Sequence, residues 1–316
     1  MKFCAACHQD LPKDKFSKKQ WKLGAKSQRR CTSCVRENRE VVQPPPPKNK
    51  DVPDDNGIVT SLDSMSMNDN EMILPSDEDL FKMPRPNEDC PICFLEMPSI
   101  GTGSKYMNCC GKMICGGCVY ANAMIDLNKQ LCPFCRTPTQ KSVKELRNRL
   151  QNRVKMNDEK AMFNLGCGYD RGTYGCPRNY DKALEFWHRA GDLGYKKAYN
   201  NIGNSYYNGR RVNRDEKKAI HYWGLAAMGG DTKARYCLAF MEHRAGNFDR
   251  ELKHLIIAAR GGHSASLDEI KELFTKGHAT KDEYESALRA HQSYLDEIRS
   301  NQRDEAAAHS EEYKYY

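Results

Sequence analysis

The sequence predicts small metal-stabilised modules followed by an all-α helical-repeat array, and three observations carry that prediction. Twelve of the 15 cysteines fall before residue 136, mostly as Cys-x-x-Cys pairs. Beyond residue 160, small and aromatic residues recur at offsets of 36 or 37 positions. Between the two cysteine groups, residues 41–87 are rich in Pro, Asp, Ser, Asn and Met, with too few apolar residues to bury a core.

A chain of 316 residues accommodates two or three small domains rather than one large core. Mean hydropathy is -0.82, and no run approaches the roughly 18 apolar residues that a membrane span needs, so no membrane partner is expected. The first residues carry two cysteines and no apolar leader, which predicts an intracellular protein, cytoplasmic or nuclear, in a reducing compartment. Paired thiols in such a compartment point to metal rather than to disulfides. The net charge of +8 is uneven. Residues 1–50 hold 13 Lys and Arg against 4 acids, whereas residues 51–89 hold 2 against 11. The basic excess is local, and nucleic acid is only a weak expectation.

Residues 1–40 form the first expected module. Cys4 and Cys7, then 23 residues, then Cys31 and Cys34 make a complete four-thiolate set, which closes a structural zinc site with no open coordination position. With Leu11-Pro12, Phe16-Ser17, Gln20-Trp21 and Arg29-Arg30 between the pairs, it resembles the LIM-like zinc module of the Stc type. That resemblance implies protein contact in chromatin-linked complexes. Lys13, Lys15, Lys18, Lys19, Lys22, Lys26, Arg29 and Arg30 interleave with Phe16 and Trp21. Either the aromatics stack on bases along a phosphate backbone, or they are the small core that zinc alone cannot supply.

Residues 41–87 are expected to be a disordered linker, opened by Pro44–Pro47. Within it, Ser76 precedes an acidic run that ends in Leu80-Phe81. Residues 88–138 hold the richer cluster: Cys90 and Cys93, Cys109 and Cys110, Cys115 and Cys118, Cys132 and Cys135. Eight thiols in four pairs bind two ions, so three zinc ions are expected per chain. This order resembles the all-cysteine RING finger. The resemblance implies that the first and third pairs share one zinc and the second and fourth the other. It also implies docking of a ubiquitin-conjugating enzyme through Ile92, Pro133 and Phe134, with Arg136 bridging enzyme and ubiquitin. RING fingers have no catalytic residue; they orient a charged conjugating enzyme. Two departures from the family are the zero spacing of Cys109 and Cys110, and Asn122 where many relatives carry Trp.

Val143, Leu146 and Leu150 at helical spacing predict a connecting helix within residues 139–157. The repeats follow over residues 158–265. Ala161, Ala198 and Ala234 align, each followed by Leu-Gly, Ile-Gly or Leu-Ala, and Trp187, Trp223 and Leu255 share a second position. Asn179, Asp215 and Asn247 stand as N-caps of the second helix of each copy. A helix pair with small residues at fixed places stacks on the next pair, which predicts a solenoid. The signature resembles the SEL-type repeat, a tetratricopeptide relative, and implies binding of a protein substrate or complex partner. Trp187 and Trp223 are expected in the core. Residues 266–316 are expected to cap the array, with Thr280 and Glu283 forming a capping box.

Two functions follow from these parts. The leading one is a RING-type ubiquitin ligase with a helical substrate receptor; the rival is a non-enzymatic zinc-binding adaptor in a protein or chromatin- or RNA-linked complex.

Overall fold

A computed structural model describes residues 75–84, 87–99, 103–125, 130–210 and 212–315, with the backbone of two short N-terminal strands. The chain divides into two compact units, Met1–Ser64 and Met65–Tyr316. In the first, β1 (Lys2–Cys4) pairs antiparallel with β2 (Gln9–Leu11), Lys2 opposite Leu11 and Cys4 opposite Gln9. The expected zinc set of Cys4, Cys7, Cys31 and Cys34, and the basic and aromatic residues between them, otherwise lie outside the described residues.

The second unit opens with α1 (Asp77–Phe81), in a stretch expected to be linker. The difference has a local cause. Ser76 caps the turn by accepting from Asp79 N at 3.2 Å, and Leu80 is buried against the helical array. A hairpin of β3 (Ser104–Met107) and β4 (Lys112–Cys115) follows, then α2 (Gly116–Ile125) and the connecting helix α3 (Val143–Lys155). Ser142 caps α3 by accepting from Glu145 N at 3.1 Å, and Leu150 is its buried anchor.

The array is three helix pairs: α4 (Glu159–Arg171) with α5 (Tyr180–Asp192), α6 (Lys197–Asn208) with α7 (Glu216–Met228), and α8 (Thr232–Ala245) with α9 (Phe248–Arg260). The repeated small residues have a steric meaning. A Cβ on Gly166 would lie 2.6 Å from the Trp187 ring, and one on Gly203 would lie 2.6 Å from Trp223. Each glycine therefore lets the indole of its partner helix lie on bare backbone, and both tryptophans are buried. In the third pair Ala239 replaces the glycine and Leu255 the tryptophan. A larger backbone residue meets a smaller knob, and both are buried.

Asn179 and Asp215 cap as expected, accepting from Lys182 N at 3.0 Å and Lys218 N at 2.9 Å. Asn247 does not. The third copy has lost its interhelical loop, and the Asn247 amide instead donates to Glu242 Oε2 at 2.8 Å.

Beyond the pairs come α10 (Ala265–Thr275) and α11 (Lys281–Ile298), the latter opened by the Thr280–Glu283 capping box. The C-terminal segment then does more than close the array. A further helix, α12 (Asn301–His309), and a short 3-10 turn, Glu311–Tyr313, pack back against α2 of the cysteine-rich module. Among the described residues no helix is long and apolar enough to cross a membrane.

Candidate metal centres and docking face

The eight cysteines of residues 90–135 gather into two groups of four. Cys90, Cys93, Cys115 and Cys118 form one, and Cys109, Cys110, Cys132 and Cys135 the other; within each, all four sulfurs lie within 4.8 Å of one another. Pairs one and three thus meet, as do pairs two and four. The adjacent Cys109 and Cys110 both belong to the second group.

The backbone builds the two Cys-x-x-Cys knuckles alike. Cys90 N donates to Leu95 O at 2.9 Å and Phe94 N returns to Cys90 O at 2.9 Å; Cys132 N donates to Thr137 O at 2.8 Å and Arg136 N returns to Cys132 O at 3.0 Å. The residue after each knuckle is left-handed, Phe94 at φ 57° and Arg136 at φ 61°. A non-glycine residue there costs about 1–2 kcal/mol, a cost that the convergence of the sulfurs must offset. On the other side of the first group, Cys115 enters from β4, with its N–H 3.5 Å from Cys90 Sγ, and Cys118 from the first turn of α2.

The donor sets fit a tetrahedral, thiophilic cation. With metal–sulfur bonds of about 2.3 Å, a tetrahedron has sulfur–sulfur edges of about 3.8 Å. Here Cys93 and Cys115 are 3.7 Å apart, Cys110 and Cys132 3.9 Å, and Cys109 and Cys135 3.4 Å. Charge leads to the same conclusion. Burial pushes the Cys118 thiol up to about 12 and the Cys110 thiol up to about 11. A hydrogen bond from Cys115 draws Cys90 down while pushing Cys115 itself up. Four sulfurs this close cannot all be thiolates unless a cation sits among them.

The candidate docking residues lie on the outside of these knuckles. Ile92 is 36% exposed and Phe134 44% exposed, and Phe94 projects beside the first knuckle. Pro133 is half-buried. Arg136 is exposed, and its Nη1 donates to Asn122 Oδ1 at 2.9 Å, while the Asn122 amide donates to Leu131 O at 2.9 Å. Asn122 thus ties α2 to the last knuckle and holds the guanidinium.

Several positioning contacts lie outside what the sequence predicts. Arg303 of α12 is 1% exposed, and donates to Ile298 O at 2.6 Å and to Leu95 O at 3.4 Å, with Nη2 3.9 Å from Cys93 Sγ. Tyr294 of α11 accepts from Ser99 N at 2.8 Å. At the opposite end of the array, Tyr106 donates to Asp158 Oδ2 at 2.8 Å, and Arg153 pairs with the same carboxylate at 2.7 Å. The cysteine-rich module is therefore held by both ends of the helical array. The one signal of this in the sequence is Gly116-Gly117, an unusual helix start; a Cβ on Gly117 would lie 2.8 Å from Arg303 N.

Residues 159–195 and 196–231 match the Sel1 repeat family, so the first two helix pairs are Sel1 repeats. Chitin synthase regulatory factor 4 of Schizosaccharomyces pombe is 26% identical over 111 residues, which are 35% of this chain and 18% of that protein. The chain thus matches less than a fifth of the length of this curated relative. A Sel1 repeat protein from Oxalobacter formigenes aligns over 51% of this chain and 67% of its own, with 25% identity and a TM-score of 0.45. A protective antigen of uropathogenic Escherichia coli aligns over 51% of this chain and 35% of its own, with 22% identity and a TM-score of 0.42.

Proposed function

We propose that the chain is a RING-type ubiquitin ligase in which two zinc ions brace residues 88–138, the knuckle surface docks a ubiquitin-conjugating enzyme, and the Sel1 array receives a protein substrate or complex partner. One observation carries this reading. Eight thiols pair in the interleaved order one with three and two with four, and exposed Ile92, Phe134 and Arg136 lie on the two knuckles so braced. Zinc supplies cross-linking there and no reaction chemistry, because four thiolates leave no open position.

Ile92 and Phe134 offer apolar contact for the conjugating enzyme, and Pro133 stiffens the loop between the last two ligands. Arg136 presents a planar fork suited to bridging two acceptors at once, and its bond to Asn122 fixes the fork before a partner arrives. Catalysis of this kind consists of restraining a reactive thioester in one pose.

The test is single-turnover discharge of ubiquitin from a charged conjugating enzyme to lysine, over a panel of such enzymes. Ile92→Ala is expected to weaken docking, and Arg136→Ala to leave docking intact while slowing discharge at saturating conjugating enzyme. Zinc content must match wild type in both variants. If no conjugating enzyme is stimulated, or if Arg136→Ala discharges at the wild-type rate, the ligase reading is wrong.

The adaptor reading draws on Asn122. It stands where many RING fingers carry Trp, and the similarity to a chitin synthase regulatory factor over 111 residues suits a docking protein that does no chemistry. In that case discharge is absent, yet the array still captures partners.

A further inference from the structure

Residues 75–84 belong to neither the cysteine-rich module nor the repeats, yet they lie across the array. Pro75 packs on Gly224 of α7 and Pro84 near Gly230, where added Cβ atoms would sit 3.3 and 3.5 Å away. Leu80 is buried, and its carbonyl accepts from Arg235 of α8. The Phe81 ring lies 4.7 Å from the His254 ring, with the Arg250 guanidinium 5.1 Å and the Lys253 ammonium 5.5 Å from its centroid. Asp77 pairs with Arg250. Asp77, Leu80 and Phe81 are spaced i, i+3 and i+4, so one turn of helix aims all three at the array.

The receiving face is cationic and incompletely satisfied. Arg235 is 1% exposed, and among the described residues no carboxylate pairs with it; its Nε and Nη2, and Nε2 of His254, have no partner there either. A buried guanidinium held by one backbone carbonyl and a long contact to His254 Nδ1 (3.5 Å) is a costly arrangement that a better acceptor would relieve. The occupant is weakly held by contrast. Five helical residues cannot sustain a helix in water, and Asp77, Glu78 and Asp79 remain exposed.

We propose that the face formed by α7, α8 and α9 is a docking site for a short acidic segment of a partner protein, with a carboxylate three and four residues ahead of a Leu-Phe pair, and that residues 75–84 are an intramolecular placeholder which such a segment displaces. The proposal rests on the receptor half of the function above and not on the ligase half. Charge complementarity chooses the partner: Arg235 and Lys253, with Arg250 shared between Glu242 at 2.7 Å and Asp77, leave the face net cationic around a buried apolar slot. Such a face suits an acidic, aromatic-ended peptide, and the chain's own segment displays how it sits.

The test is binding of a fluorescent peptide of residues 73–84 to the full-length chain. A tethered occupant acts at roughly millimolar effective concentration, so wild type is expected to bind the peptide poorly. The double variant Leu80→Ser/Phe81→Ser should bind it at least about tenfold more tightly. Adding Arg250→Glu should remove that gain, and a peptide carrying Asp77→Arg should restore it. If the double variant loses helicity by circular dichroism, Asp77→Arg in the chain opens the site through an exposed ion pair alone, and it too should raise peptide binding. Absence of any gain in a folded opened variant, or indifference to Arg250→Glu, overturns the proposal and makes α1 a permanent clasp. Because no conjugating enzyme is present, that failure is distinct from failure of the ligase reading.

Discussion

The cysteine-rich module and the helical array reach a fixed structure by opposite routes. Residues 87–138 bury a small core, chiefly Met97, Ile114 and the cysteines themselves, and their geometry converges on two sets of sulfurs. The array buries a continuous seam of repeated Ala, Leu, Ile, Tyr and Trp side chains and needs no ligand. The two halves should therefore fail under different insults, although contacts at both ends of the array hold them together.

Metal removal should separate the two halves most sharply. A structural zinc site contributes folding free energy on the order of 10 kcal/mol. Chelation is therefore expected to unfold residues 87–138 while the far-ultraviolet helical signal of the array persists. The packing adds one consequence: Arg303, Tyr294 and Tyr313 lose their platform, so hydrogen exchange in α12 should rise with that in α2. Retention of slow exchange in both after complete chelation would show that packing, not metal, holds the module. Native mass spectrometry should count two zinc ions on these eight cysteines, and three in all if the N-terminal set binds as its spacing predicts.

Within the array the sharpest break comes from the Gly–Trp seats. Trp223→Ala is expected to cost about 3–5 kcal/mol. Gly203→Ala should also destabilise strongly, because its methyl would collide with the indole at 2.6 Å. The reverse change in the third copy, Ala239→Gly, creates no clash and should cost only about 0.5–1 kcal/mol, the helix-propensity difference. Thermal denaturation of the three variants, all with wild-type metal content, reads this ranking. Equal losses at Gly203 and Ala239 would mean that the copies are not packed by the same rule.

The array should also carry a pH dependence of its own. Burial, reinforced by the Arg235 and Arg250 charges, lowers His254 to about 3 from its ordinary 6.5, with Asp77 opposing. A pKa depressed on folding gives stability that is complete above the unfolded value and is lost as pH falls towards the folded one. The array should therefore weaken progressively between about pH 6.5 and 3, and His254→Gln should flatten that slope. Because Phe81 packs on this ring, protection of α1 should fall over the same window; an unchanged slope in the variant would assign the acid sensitivity elsewhere.

The parts of the molecule set by local chemistry are legible in the sequence. Cysteine spacing marks three of the four ligand pairs of residues 90–135, because a two-residue gap can turn both sulfurs to one ion, whereas the adjacent Cys109 and Cys110 and the interleaved sharing of ions follow from the resemblance to the RING order. The repeat period locates the helix pairs, and the Asn179, Asp215 and Thr280 caps fall where their side chains reach free backbone amides. Asn247 shows the limit of such reading: a good capping residue is diverted once a shortened loop brings Glu242 within reach. The seat of α1, the grip of Arg303 on the first knuckle and the tie from Tyr106 to Asp158 have no periodicity or spacing to betray them. Each joins residues more than 50 positions apart.

Segment by segment, then, local sequence dictates the kind of structure: which residues could ligate, which would stack as repeats, and where helices begin. It took the folded chain to decide that both ends of the array hold the cysteine-rich module, and that an acidic stretch of the expected linker covers the face of α7, α8 and α9. The division follows from range. Ligand spacing, caps and helical periodicity act over a few residues of chain, where covalent geometry fixes what can meet. A contact between Arg303 and Leu95, or between Arg250 and Asp77, depends on the summed placement of every helix between them.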